Sequence, residues 1–347
     1  MSVNNVASWL ISIALILVLI VVGKAYLQPI FMALVIWYLV NALDQQFRKL
    51  PWIGKHLPAA VTLGMSLVFI GLTIWAVGDS IVATIQGVVV DSAKYVPRID
   101  AQIARIYELL RLKDPPTLST LQYSDQLWAY STDLLNGFTN FAKGLFLVLL
   151  YVLFFLIEQG AFGKKMAALG LDLRESNRLT DILNEINRAM RTYLGVKTFT
   201  SILTAILSWI VLYFIGVDYA IFWAFLIFLF NYVPTIGSIT ATLLPGLLAL
   251  VQFDTLSPFF IIIIGVSAIQ LLVGNILEPR LMGDILNISP LVVVLSLILW
   301  SMLWGVVGML LSVPITVAII IICAQFPTTR KVAILLSKNG NINIGER

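Results

Sequence analysis

Two short stretches of this sequence place reactive or polar chemistry where it is costly to have it. The first is FNYVPTIGS, Phe230–Ser238, inside a run of 35 residues, Tyr219–Phe253, that holds no charged side chain. Pro234 lacks a backbone donor and frees a carbonyl about one turn earlier, near Phe230. Gly237 permits a tight turn, and Asn231 and Ser238 add side-chain hydrogen-bonding groups. Pro245 is a second break in the same run. Irregular backbone in an apolar medium survives only where protein or a wet cavity satisfies it. Freed carbonyls, half-helix ends and an amide side chain are the parts with which a transporter holds a polar solute or an ion. The competing explanation is a structural kink whose freed groups are satisfied by a neighbouring helix.

The second stretch is GNILEPRLMG, Gly274–Gly283, where Glu278, Pro279 and Arg280 close the charge-free run Thr255–Leu277. Asn275 lies three residues before Glu278 and shares its helix face. A desolvated carboxylate here can titrate or bind a cation, while Arg280 can hold it ionised or bind an anionic solute. The plainer alternative is an interfacial ion pair that ends a helix. A third apolar run, Ile285–Thr329, carries Trp300, Trp304 and the Leu311–Pro314 segment. The two tryptophans suit an interfacial aromatic belt, and Pro314 is placed to kink the last span.

The elements that must position these residues follow from composition. Charged residues make up 12% of the chain and hydrophobic ones 60%, against about 25% charged in soluble domains. The expected fold is an all-α, polytopic helical membrane protein with broken or re-entrant hairpins and a small extramembrane helical segment. There is no HExxH, GxGxxG, Walker lysine or Cys/His cluster, so nothing points to an enzyme, a metal site or a cofactor. The formal charge of +4 sits in loops flanking the spans and is not a nucleic-acid signature. His56, the sole histidine, reads as a solvated loop residue.

Residues 1–90 read as about three N-terminal spans, the first retained rather than cleaved as a signal. Residues 91–140 read as an extracytoplasmic amphipathic segment, with Val96, Ile99, Ile103, Ile106 and Leu110 on one stripe and Pro115-Pro116 ending the helix. That stripe suits packing on its own subunit or an oligomer collar. Residues 141–158 form a span, and 159–194 a basic amphipathic segment along the cytoplasmic surface, with Leu179, Ile182, Leu183, Ile186, Met190 and Tyr193 on its apolar face. Residues 195–325 form the transmembrane core with the hairpins, and 326–347 a cytoplasmic tail. Run lengths suggest nine or ten crossings. With both termini cytoplasmic, 15 of the 22 Lys and Arg fall inside, as the positive-inside rule prefers.

FNYVPTIGS followed by ATLLPG, then GNILEPRLMG and the GMLLSVP block, together resemble the signature of the autoinducer-2 exporter family of TqsA/PerM-like membrane transporters. The resemblance is closest over Tyr193–Lys338 and collinear before that. It implies a bacterial inner-membrane protein with re-entrant hairpins, a homo-oligomer, and export of the small neutral signal autoinducer-2. It marks Asn231, Pro234, Gly237, Asn275, Glu278, Pro279 and Arg280 as motif positions. Other members resemble sodium or lithium/proton antiporters, so protons or sodium stay open as coupling ions. Three readings stand: an exporter of a small polar solute with Asn231, Ser238 and Asn275 along its path; a cation/proton antiporter titrating Glu278; and a membrane scaffold acting through residues 91–140. Spans almost free of carboxylates favour the first.

Overall fold

The computed structural model describes residues 3–50, 56–109, 111–115, 123–168, 173–283 and 285–340. Nearly all of these residues are helical. The order is α1 Val3–Val22, α2 Lys24–Lys49, α3 Ala59–Leu109, α4 Tyr123–Ala168, α5 Leu173–Ile215, α6 Ala220–Phe230, α7 Ile236–Gln252 and α8 Ser257–Gln270. A π-helical turn, Leu271–Leu277, joins α8 to the short α9, Glu278–Met282, and α10 Pro290–Gln325 and α11 Arg330–Leu336 complete the chain. The chain is an all-α polytopic membrane protein. Six stretches among the described residues are long and apolar enough to cross a bilayer: Lys24–Lys49, Ala59–Thr84, Gly144–Lys165, Arg178–Ile215, Ser257–Met282 and Pro290–Gln325.

The 35-residue run folds as two shorter helices, α6 with 11 residues and α7 with 17. At about 1.5 Å per residue these rise roughly 16 and 26 Å, against a hydrocarbon core of about 30 Å. The run is therefore a pair of short apolar helices joined by a turn, rather than one long span. Run length, which suggested nine or ten crossings, counts apolar residues and is blind to such breaks. Helix α3 passes through residue 90 without a stop and contains Pro97, because no turn signal separates Val90 from Asp91. Of the stripe expected beyond it, Ile99 and Ile103 are half-buried; the side chains of Val96 and Ile106, and Leu110 altogether, lie outside the described residues, as do Pro116 and the side chains of 116–143.

The fold divides into two compact units. The first comprises Met1–Ser66, Gly144–Val196 and Met282–Arg347. Its largest core packs Tyr38 of α2 and Ala189, Met190, Tyr193 and Leu194 of α5 against Val313, Val317 and Ile321 of α10. The face carrying Ile182, Met190 and Tyr193 thus meets protein rather than a lipid surface. Asn287 and Ser289 pair in antiparallel fashion with Leu336–Lys338, which anchors α11.

Within this unit α10 is two helices joined at Gly305, whose φ of 62° and ψ of −139° are open only to glycine. The break is filled by aromatic and amide groups. Trp300 and Trp304 are buried, and Trp304 packs at a tilt against Trp300 and Phe31, ring centroids 5.4 Å apart in each pair. The Trp304 indole N–H donates to the Ile20 carbonyl at 3.1 Å, and Gln28 Nε2 donates to the Trp304 carbonyl at 2.9 Å. The tryptophans expected in an interfacial belt are instead the packing of a kink. Pro314, also buried, lies further along the same helix.

The second unit comprises Leu67–Lys143 and Lys197–Leu281. Its apolar core is Leu212 and Val217, Ile227 of α6, Ala241 and Ala249 of α7, and Ile262 and Val266 of α8. At the end formed by the Gly216–Tyr219 and Gln252–Phe253 turns, Gln252 donates to the Gly216 carbonyl at 2.7 Å and accepts from the Asp218 N–H at 2.8 Å. Tyr95 of α3 donates to Asp218 at 2.7 Å, and Arg98 donates to the Gln252 carbonyl. The polar groups at the other end form the candidate site.

Candidate functional site

Both sequence breaches meet a single short stretch of α5, Val196–Ser201, which reads VKTFTS. Helical spacing places Lys197, Thr200, Ser201, Thr204 and Ser208 on one face, and all five are buried. Apart from the lysine these are small hydroxyl-bearing residues, the kind that membrane helices carry where they pack on one another.

The first breach reaches α5 through side chains. Asn231, buried just after α6, donates through Nδ2 to Ser201 Oγ at 3.0 Å. The next residue, Tyr232, shares a 2.7 Å hydrogen bond with Thr198 Oγ1. The backbone of the break is largely self-satisfied. The Phe230 carbonyl accepts from the Val233 N–H at 2.8 Å. It is also covered by Gly237, where an added Cβ would lie 1.8 Å from that oxygen. Gly237 is required by this approach, and the carbonyl freed by Pro234 is not left open. Thr235 has φ 61° and ψ −62°, and the Ile236 N–H returns to the Pro234 carbonyl at 2.6 Å. That is a γ-turn of the rare positive-φ hand, strained for a β-branched residue. Ser238 Oγ donates to the Thr235 carbonyl at 2.9 Å, closing the turn rather than facing α5.

The second breach reaches α5 through Glu278. The π-helical turn ends with the Glu278 N–H donating to the Val273 carbonyl, a reach of five residues. The carboxylate accepts from Lys197 Nζ at 2.7 and 2.9 Å and from Thr200 Oγ1 at 3.1 Å. The Lys197 and Glu278 side chains are 8% and 14% exposed. Two buried charges cost several kcal/mol each to desolvate, so such a pair persists only with tight geometry and supporting hydrogen bonds. Thr200 supplies one, its single hydroxyl proton lying between the carboxylate and the Lys197 carbonyl at 3.2 Å. Among the described residues the pair uses two of the ammonium's three donors and three of the carboxylate's about four acceptor positions.

The structure therefore brings Asn231 and Glu278 onto adjacent residues of α5, Ser201 and Thr200. Other candidates stand apart. Asn275 is exposed on the π-helical turn, and Pro279 and Arg280 are exposed beyond it. No bond joins Arg280 to Glu278 among the described residues; the cation at this carboxylate is Lys197. Pro245 is buried inside α7, and Pro314 belongs to the first unit. Sequence reasoning missed Lys197, which fell at the start of the 195–325 core without a role. The available signal was a lysine followed by Thr-x-Thr-Ser at the mouth of an apolar run. Among the described residues no group of His, Cys, Asp and Glu side chains could hold a metal ion.

Comparison with known proteins finds transporters. A family model described as AI-2E family transporter matches residues 10–328. A Haemophilus influenzae protein assigned by name to transport is 33% identical over 321 residues, covering 90% of this chain and 88% of that one. The AI-2 transport protein TqsA of Escherichia coli K12 is 39% identical over 210 residues, 59% of each chain. YhhT of the same organism is 29% identical over 267 residues, covering 76% of this chain and 75% of its own.

Proposed function

We propose, from the premise that this chain belongs to the AI-2E family of transporters, that it exports a small, uncharged, hydroxyl-bearing solute like autoinducer-2 across the bacterial inner membrane. The observation that carries the reading is the convergence of Asn231–Ser201 and Lys197–Glu278–Thr200 on one buried face of α5. A neutral polyol needs donors and acceptors together without net charge, and a compensated ion pair beside an amide and hydroxyls supplies that set. Asn231 and Glu278 are the polar walls of the path. Pro234 and Gly237 shape the turn that delivers Asn231, and Pro279 ends the helix beyond Glu278. The charge balance of the loops favours both termini in the cytoplasm, and the family resemblance implies a homo-oligomer.

The second reading is a sodium or lithium/proton antiporter. The largely buried Glu278 carboxylate favours it, since intramembrane carboxylates mark ion pathways. The two are separated by autoinducer-2 flux into sealed proteoliposomes, measured without a gradient, with a pH gradient and with a sodium gradient. The expected result is solute flux that Asn231→Ala lowers roughly tenfold, the loss equivalent to one buried hydrogen bond, in protein that remains folded. Proton release on adding sodium, with no solute flux, would transfer the function to the antiporter.

A further inference from the structure

Resting on the solute-path reading, we infer that Lys197 is a tethered cation that fills the place a free monovalent cation would take at Glu278, so that this chain excludes sodium from its own carboxylate. The geometry is that of an occupied cation position. Lys197 Nζ lies 2.7 and 2.9 Å from the two Glu278 oxygens, bridging both. Thr200 Oγ1 donates to Oε2 at 3.1 Å and holds the carboxylate in place. Carboxylate oxygens are the ligands that hard cations take in proteins. Among the described residues no other cation touches Glu278, since Arg280 is exposed. The lysine carries its charge on the same helix that supplies Thr200. It therefore cannot diffuse away, and a free cation must displace a covalently held competitor at very high effective concentration.

The chemistry follows from what removing it leaves. With Lys197 replaced by methionine, a side chain of similar length and no charge, a buried carboxylate has lost its counter-ion. Uncompensated burial is costly enough that the group must recover a cation or take up a proton. The site keeps the carboxylate and the Thr200 hydroxyl, and sodium is small enough to enter where an ammonium sat. Lys197 is thus a specificity-determining residue, and it separates a path for uncharged solutes from a path for cations built on the same fold.

The test reads cation binding rather than solute flux, so its failure is distinct from failure of the transport proposal. Thermal unfolding of purified protein is followed in sodium chloride and in choline chloride of equal ionic strength. The parent and Lys197→Arg should unfold at the same temperature in both salts. Lys197→Met should show a saturable rise in unfolding temperature in sodium alone, as expected of a ligand that binds only the folded state. The double variant Lys197→Met/Glu278→Gln, which removes both charges together, should fold and be indifferent to sodium. A sodium response in the parent would overturn the inference, since the lysine would then not exclude the ion. So would a folded Lys197→Met protein blind to sodium, its carboxyl having taken a proton instead. If Lys197→Met fails to fold in sodium as well as in choline while the double variant folds, the inference also falls, because a cation able to fill the place would have rescued it.

Discussion

Among the described residues two helical breaks, the α6–α7 turn in the second unit and the α10 kink in the first, are built on the same local device. After α6 the chain turns at Thr235, and Gly237 lets its backbone press against the Phe230 carbonyl; an added Cβ would sit 1.8 Å from that oxygen. Within α10 the chain turns at Gly305, and Gly308 presses against the Trp300 carbonyl in the same way, at 1.9 Å. What surrounds the two turns differs. The α10 break is closed by Trp300, Trp304, Phe31 and Gln28, with the Gln28 amide N–H and the Trp304 indole N–H each donating to a backbone carbonyl. The α6–α7 break sends Asn231 and Tyr232 to α5, one residue from a buried ion pair with unspent donors and acceptors. A break alone therefore says little about function. The decisive difference is whether the polar groups beside it are all consumed in holding it.

The harshest way to probe this contrast is to put a methyl group where each glycine makes its close approach. Gly237→Ala and Gly308→Ala each force a backbone carbonyl to move, and each should destabilise by about 3 kcal/mol, the upper range for overpacking. Equilibrium unfolding in detergent should show comparable losses. Flux per folded molecule should separate them: depressed in Gly237→Ala, where Asn231 is displaced, and unchanged in Gly308→Ala. Equal depression of flux in both would make the α10 break part of the path and erase the distinction.

A milder cut removes the amide at each break. Gln28→Leu leaves the Trp304 carbonyl without its donor and should cost about 1–3 kcal/mol of stability, the penalty for one unmet buried group. Transport should be untouched. Asn231→Leu should cost about as much, through Ser201, while lowering transport roughly tenfold. Measuring stability and flux on both proteins places each break on one side of the comparison or the other. If Gln28→Leu also loses transport, the aromatic seal has a functional role.

The hairpin over Tyr219–Phe253 was legible in sequence because Asn, Pro and Gly crowd into a run too apolar to tolerate them. Glu278 was legible as a carboxylate at the edge of another such run. Their convergence was not, because it depends on α5, and nothing local to Lys197 announces that a carboxylate 81 residues away will bury it. A lysine beside an apolar run is ordinarily a flanking charge in water, and only tertiary packing makes it otherwise. Trp300 and Trp304 failed for a related reason. Residue type fixes their amphipathic character but not whether their N–H finds lipid headgroups or, as Trp304 does, the Ile20 carbonyl. The expectation that Pro234 frees a carbonyl for a solute missed how a glycine three residues later would cover it.

The smallest expected effects test the turn itself and the far end of the polar face. Thr235 holds a positive-φ γ-turn that glycine adopts without strain, and such strain costs of order 1–3 kcal/mol. Thr235→Gly should recover about 1 kcal/mol of that, less than the full strain because glycine also gains freedom in the unfolded chain. At Ser208 the hydroxyl is fully buried and has no hydrogen-bond partner among the described residues, so deleting it removes an unmet polar group rather than a contact. Ser208→Ala should be neutral or slightly stabilising, within about 0.5 kcal/mol. If transport also stays intact, the functional part of α5 ends near Thr204, and the face beyond it exists for close packing. A clear loss of transport with stability unchanged would instead extend the polar path one turn deeper, toward the Leu212 core, and the contrast between the two breaks would become one of length as well as of chemistry.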